Sequence, residues 1–175
     1  MLWSSCTASF RTLGAEVLQA LTFYASEEKL ATVGLAGKTE EINREAVRIA
    51  RSVADEGDSL VAGNLSLTWM YEPDVPASSD RVRKLFDQQL AVQLDAGVDF
   101  VIGETFSYLE EARLATERIK AAGQVAMVTM SFEQEAKSYA LGQPHRNKTC
   151  LYTLTPDRDF VIDRVPGHDQ VLVLI

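Results

Sequence analysis

The stretch VDFVIGETFSYLEEA, residues 98–112, places a carboxylate, Glu104, at the end of an apolar run and just ahead of a helix-like segment. A carboxylate there can hold a cationic ligand group. It can equally be a solvated first-turn acid near the positive end of the following helix dipole. Aromatic side chains accompany it: Phe23 and Tyr24 end one apolar run, and Trp69 and Tyr71 closely follow another. Four rings near one end of a sheet can stack against a quaternary ammonium ligand, since ring faces attract cations, or can simply cap the core.

Other chemistries find little support. GLAGKT (34–39) resembles the end of a phosphate-binding loop, but Thr32 stands where the earlier glycine belongs, and the preceding SEEKLATV reads as helix. It is read as a helix-to-helix turn. No G-x-G-x-x-G follows an apolar run, so a dinucleotide fingerprint is absent. The two histidines, His145 and His168, lack partners at metal-ligand spacing and leave a Ser-His-Asp triad without support. No residue is assigned as catalytic or as a metal ligand.

With 175 residues, 46% hydrophobic and 24% charged, the chain reads as one globular domain with a real core. A formal charge of -8, with arginines interleaved among acids, argues against a nucleic-acid surface. Two cysteines, Cys6 and Cys150, are too few for a disulfide framework and fit a reducing compartment. No apolar run is long enough for a membrane span, and no secretory signal is read at the N-terminus. The expected location is the cytoplasm.

The elements that must position Glu104 follow a recurring unit, in which a helix-like segment ends at a glycine and a short apolar run follows. It is seen in RTLGAEVLQALTF, ADEGDSLVAGNLS, LDAGVDFVIGETF and KAAGQVAMVTMSF. Gly14, Gly57, Gly97 and Gly123 stand where a helix C-terminus takes the left-handed conformation. Helical period places Ile42, Ala46, Ile49, Ala50 and Val53 on one face of 40–56, and Val82, Leu85, Phe86 and Leu90 on one face of 80–96. Residues 107–122 open on a Ser107–Glu110 capping box and carry Leu109, Ala112, Ala115 and Ile119. The near-continuous apolar runs suit strands buried on both faces of a parallel sheet. The order is β-α-β-α-β-α-β, an open α/β sheet or part of a barrel, with ligands expected at the strand C-termini. Those ends carry Thr22, Phe23 and Tyr24, then Ser66 and Thr68, Glu104 and Thr105, and Ser131 and Glu133. Beyond Tyr139 the rhythm stops, and the chain ends on the strand-like VLVLI.

Four stretches resemble the homocysteine S-methyltransferase family, most closely its betaine–homocysteine branch, over roughly residues 10–139. They are AEVLQALTFYASEEKL (15–30), INREAVRIARSVADEGDSLVAG (42–63), VRKLFDQQLAVQLDAGVDFVIGETF (82–106) and VAMVTMSFE (125–133). The resemblance implies a (β/α)8 TIM barrel in which a homocysteine thiolate on zinc takes a methyl group from betaine or a related donor. Zinc would supply a thiolate at neutral pH by lowering the thiol pKa. It implies substrate-binding roles for Gln19, Thr22, Phe23, Tyr24, Glu104 and Thr105. Glu104 matches the glutamate that holds the homocysteine ammonium, and Tyr24 with Phe23 matches an aromatic pair near the donor.

Departures from the family pattern are specific. The family's three zinc cysteines lie in G-x-N-C and G-G-C-C stretches that are absent here, and Cys6 and Cys150 match neither. The D-G-G motif of the first barrel strand is missing, Thr105 replaces a frequent tyrosine, and Leu67 replaces a glutamine. A full barrel takes about 250 residues. The expectation is therefore a partial barrel of about four βα units over 1–139, clipped at the front. A divergent, irregular tail over 140–175 resembles a frame change or misjoined exon. Such a chain lacks the family's zinc ligands and is expected to be inactive alone. Open strand edges would favour self-association. The alternative is a non-enzymatic half-barrel that binds a ligand or partner.

Overall fold

The computed structural model describes residues 14–131, 162–165 and 168–174. The chain divides into two compact units, Met1–Ser131 and Phe132–Ile175. In the first, the order is β1 (Val17–Gln19), α1 (Glu27–Thr32), α2 (Thr39–Ala54), β2 (Leu60–Ser66), α3 (Pro76–Asp95), β3 (Phe100–Phe106), α4 (Leu109–Ala121) and β4 (Ala126–Met130). The strands form one sheet in the order β1-β2-β3-β4, every neighbouring pair parallel. This is the partial α/β barrel architecture that the alternating pattern predicts. In the second unit, β5 (Ile162–Val165) and β6 (His168–Leu174) pair antiparallel, and the first four residues of VLVLI belong to β6. The remainder of the segment 140–161 lies outside the described residues.

Local signals explain most boundaries. Pro76 opens α3, where its fixed φ suits the first turn and its missing N–H costs nothing. Gly97, at φ +92°, closes the same helix, with its N–H on the Leu94 carbonyl and the Val98 N–H reaching back to Gln93. Gly14 and Gly123 also take positive φ, as expected, but Gly57 does not. There the chain winds down through Asp55 in right-handed conformation, and the Gly57 N–H bonds the Ala54 carbonyl. The Ser107–Glu110 capping box does not form. Tyr108 is the N-cap of α4 and makes no side-chain cap bond, while Glu110 turns to Arg113 at 2.6 Å. An i,i+3 ion pair with arginine has displaced the reciprocal cap. GLAGKT is a turn between α1 and α2, with Gly34 and Gly37 left-handed.

The helices cover one face of the sheet. Val47, Ala50 and Val53 of α2, Val82, Phe86 and Leu90 of α3, and Leu114, Ala115 and Ile119 of α4 pack with Val61, Leu65, Val101 and Phe106 in one core. The buried stripe of α2 is rotated from the expected one: Asn43 and Val47 lie inside, and Ile42, Ala46 and Ile49 are only partly buried. Asn43 can turn inward because its amide is fully engaged there, as shown below. On the opposite sheet face Leu60 and Met127 are about half exposed, at 49% and 53%. β4 therefore falls short of the expected two-sided burial.

The lengths of β1 and β2 do not match. Gln19 pairs with Ala62, and the Ala20 N–H reaches the Ala62 carbonyl at 2.8 Å, after which β1 ends while β2 continues to Ser66. Residues two apart in a strand present their backbone groups to the same side, so the amide and carbonyl of Asn64 face the place where β1 would have continued. Side chains replace it. Gln93 Oε1 accepts the Asn64 N–H at 2.9 Å, and Gln93 Nε2 and Thr22 Oγ1 donate to the Asn64 carbonyl at 2.9 and 3.0 Å. Buried backbone groups need such partners. Gln93 Nε2 also donates to Asn43 Oδ1 at 2.8 Å, and Asn43 Nδ2 donates to the Ala25 and Thr39 carbonyls.

Gly63 makes this clamp possible, because a Cβ there would stand 2.4 Å from Gln93 Oε1. Gly63→Ala should displace Gln93 and strand the Asn64 amide, destabilising the fold by about 1–3 kcal/mol. A urea-unfolding midpoint unchanged from wild type would refute the clamp.

Candidate functional site

Glu104 lies inside β3, five residues before α4 begins at Leu109, so it is not a first-turn acid. Its register partner is Ser66, and Asn64, two residues earlier on β2, presents its side chain to the same sheet face. Gln19, opposite Ala62, shares that face. The three side chains meet: Gln19 Nε2 and Asn64 Nδ2 both donate to Glu104 Oε2, at 2.8 and 2.6 Å. Charge-assisted bonds of this kind are about twice as strong as neutral ones. Among the described residues no donor reaches Oε1, so one oxygen is fixed and the other is left to accept.

The next residue is strained. Thr105 has φ +62°, a conformation that β-branched residues avoid, beside a register shift between Gly103 and Phe106. The cost of such a residue is about 1–3 kcal/mol. Its N–H is held by Thr129 Oγ1 at 3.0 Å. The irregularity lies directly beside Glu104, at the strand end where this architecture places ligands.

Thr22, Phe23 and Tyr24 do not end a strand. β1 stops at Gln19, and the three lie in the loop before α1, bent by a Thr22 N–H bond to the Ala20 carbonyl. Thr22 is fully buried, and its hydroxyl belongs to the Asn64 clamp. Phe23 and Tyr24 meet edge to face at 4.9 Å, and Trp69 lies 6.1 Å from Tyr24. Tyr71 goes elsewhere, against Tyr108 at 5.2 Å.

The rings already hold a cation. Lys29 Nζ lies 4.9, 5.2 and 5.3 Å from the centres of Phe23, Tyr24 and Trp69. It donates to the Phe23 carbonyl at 2.9 Å and to Ser66 Oγ at 2.8 Å, and it is only 2% exposed. Ser66 thus links this cluster to Glu104, its partner across the strands. Burial pushes the Lys29 amine down to about 8, while Glu28 and Glu111 hold it up. Glu111 is itself buried and pushed up by desolvation, although it accepts from the Thr68 N–H and hydroxyl, both at 2.7 Å. Two tyrosine and tryptophan faces stay open, since Tyr24 is 62% and Trp69 55% exposed.

The described residues do not fit the zinc site implied by the family resemblance. Among them no group of three histidine, cysteine or acidic side chains could hold a metal ion. Cys6, Cys150, His145 and Glu133 lie outside the described residues. No described helix is long and apolar enough to cross a membrane.

Sequence reasoning did not single out Asn64, Gln93, Asn43 or Lys29. A signal existed for the first two. Asn64 interrupts VAGNLS and Gln93 interrupts LAVQLDAG, just as Glu104 interrupts its own apolar run. Lys29 carries no such mark.

A lysine whose folded-state pKa lies below its ordinary value keeps its proton longer in the unfolded chain. Stability should therefore be flat below about pH 8 and rise between about 8 and the ordinary value of 10.5. Comparing urea unfolding of wild type with Lys29→Met isolates that group, and the difference should move toward wild type by roughly 3 kcal/mol across this window. A pH-independent difference would show that Lys29 does not titrate there.

Known proteins resemble this chain in sequence and in fold. The profile of the homocysteine S-methyltransferase family matches residues 3–155. Betaine–homocysteine S-methyltransferase 1 of Bos taurus is 43% identical over 136 residues, covering 75% of this chain and 33% of that protein. The Sus scrofa protein of the same name is 45% identical over 130 residues, covering 72% and 46%. The chain thus spans less than half the length of these relatives. In fold it is similar to the homocysteine methyltransferase MmuM from Escherichia coli in its metallated form, with a TM-score of 0.62 at 21% identity over 74% of this chain and 50% of that one. With its profile match covering most of the sequence, the chain belongs to the homocysteine S-methyltransferase family.

Proposed function

We propose that this chain supplies the amino-acid-recognition part of a homocysteine methyltransferase, with Glu104 as acceptor for the homocysteine ammonium. The observation that carries the reading is the Glu104 carboxylate, with Oε2 tied by Gln19 and Asn64 and no donor on Oε1 among the described residues. A primary ammonium complements that free oxygen in charge and in hydrogen bonding. Thr105, whose backbone turns directly beyond the carboxylate, would shape the pocket wall, and Thr22 would support it through the Asn64 clamp. The names of the curated relatives, betaine–homocysteine methyltransferases, support betaine as methyl donor. Its trimethylammonium group suits the exposed faces of Tyr24 and Trp69, with Phe23 behind them.

In the reaction so proposed, the homocysteine thiol gives up its proton to solvent, and the thiolate sulfur attacks a donor methyl carbon. The carbon–nitrogen bond breaks, its electron pair stays on nitrogen, and methionine and a tertiary amine result. The chain's described part would bind and orient the amino-acid end of the substrate. Zinc is the family's metal by resemblance, but the described side chains do not form its site. The same fact favours a second reading, in which this chain is a binding module without turnover of its own. Self-association is supported by the outer edges of β1 and β4, which pair with no further strand among the described residues. A cytoplasmic location is likewise proposed.

Glu104→Gln should weaken homocysteine binding at least about tenfold in calorimetric titration, as loss of a charge-assisted acceptor predicts. Equal affinity in the variant would remove Glu104 from the site. For the second reading, the chain incubated with homocysteine and betaine should form no methionine above background and should purify without stoichiometric zinc. Turnover accompanied by bound zinc would establish the enzyme.

A further inference from the structure

Gln19 and Asn64 donate to the same carboxylate oxygen, yet they are not equivalent. Gln19 is part-buried and sits at the last position of the three-residue β1. Asn64 is fully buried in the middle of β2, and its backbone is held on both its N–H and its carbonyl by Gln93 and Thr22. Its bond to Glu104 is also the shorter, 2.6 against 2.8 Å. Asn64 is therefore the rigid member of the pair.

Its amide carries a second mark. Asn64 Oδ1 is buried and has no hydrogen-bond partner among the described residues. The amide cannot turn over to relieve this, because Oδ1 would then face Glu104 Oε2, acceptor against acceptor. A buried acceptor without a donor opposes folding, so the amide oxygen is not explained by stability. What the amide does accomplish is to fix one oxygen of Glu104 and so the direction of the other.

From this we infer that Asn64 is a positioning residue, which aims Glu104 Oε1 and thereby sets the site's preference for a ligand with a primary ammonium group. The inference rests on the homocysteine reading of the site. Without Asn64 the carboxylate would keep its charge and its bond to Gln19 but swing among orientations. A ligand that depends on Oε1 would lose more than one that does not.

The test compares two ligands on the whole chain: homocysteine, and 4-sulfanylbutanoic acid, which has the same thiol and carboxyl group but no amino group. Calorimetric affinities are measured for wild type, Asn64→Ala and Asn64→Ser, together with thermal unfolding of each. The expected result is a wild-type preference for homocysteine that falls at least fivefold in both variants, each of which still unfolds cooperatively. If both ligands weaken in proportion, or if the unfolding temperature falls and the preference is kept, Asn64 is structural and the inference is overturned. If wild type binds homocysteine with no preference, or not at all, the homocysteine reading fails and takes the inference with it. If Glu104→Gln abolishes the preference and the Asn64 variants keep it, the reading stands and the inference alone is lost.

Discussion

β1 stops at Gln19 while β2 runs on to Ser66, and the backbone of Asn64 is left facing a place where no strand continues. A buried amide in that position must find partners, and here it finds them in Gln93 and Thr22. The substitution reaches far. It draws a glutamine from α3 through the gap above Gly63, an asparagine from α2 behind it, and the loop before α1 on top. Two helices, the loop before α1 and β2 are tied by one buried polar network. Such networks give a unique arrangement only when their members are satisfied.

The site at the sheet end uses the rigidity so created. Asn64 is held from behind by the clamp and holds Glu104 in front. Gln19, the last residue of the short strand, closes on the same oxygen. A carboxylate tethered at one oxygen presents the other in a defined direction, which is the preorganisation that recognition of a small charged group requires. The strained Thr105 and the Asn64 oxygen, unpartnered among the described residues, both sit beside it. Local unfavourable features gathering around one carboxylate support its proposed role in binding.

The neighbouring aromatic cluster has a different logic. Its central cation belongs to the chain: Lys29 is enclosed by Phe23, Tyr24 and Trp69 and bonded to Ser66 and the Phe23 carbonyl. Buried lysine is tolerated because ring faces, two acceptors and the charges of Glu28 and Glu111 surround it, although desolvation still lowers its proton affinity. The cluster thus joins the loop after β1 to the end of β2 from inside. The exposed parts of Tyr24 and Trp69 are left for another molecule. The two halves of the proposed pocket meet at the Ser66–Glu104 pair.

Local physics made much of this legible in the sequence. Helix–glycine–strand repeats announced a parallel α/β sheet, because helical period, glycine stops and unbroken apolar runs are each decided within a few residues. A lone acid in an apolar run announced Glu104, and the FYAS and GETF stretches announced the family. The boundaries that failed were those decided by competition. Glu110 chose Arg113 over a cap, Gly57 had no need of a left-handed turn, and β1 ended before Thr22. What no local pattern holds is which distant groups meet. Gln19 and Glu104 are 85 residues apart, Gln93 and Thr22 71 apart, and Lys29 and Ser66 37 apart. Their contacts depend on strand register and on which strand stops first. The sequence by itself determined the kinds of element and marked one candidate carboxylate; the tertiary structure decided what holds that carboxylate and which cation occupies the aromatic rings. Periodicity is a property of neighbours along the chain, whereas a hydrogen bond between strands exists only once the sheet has brought them together.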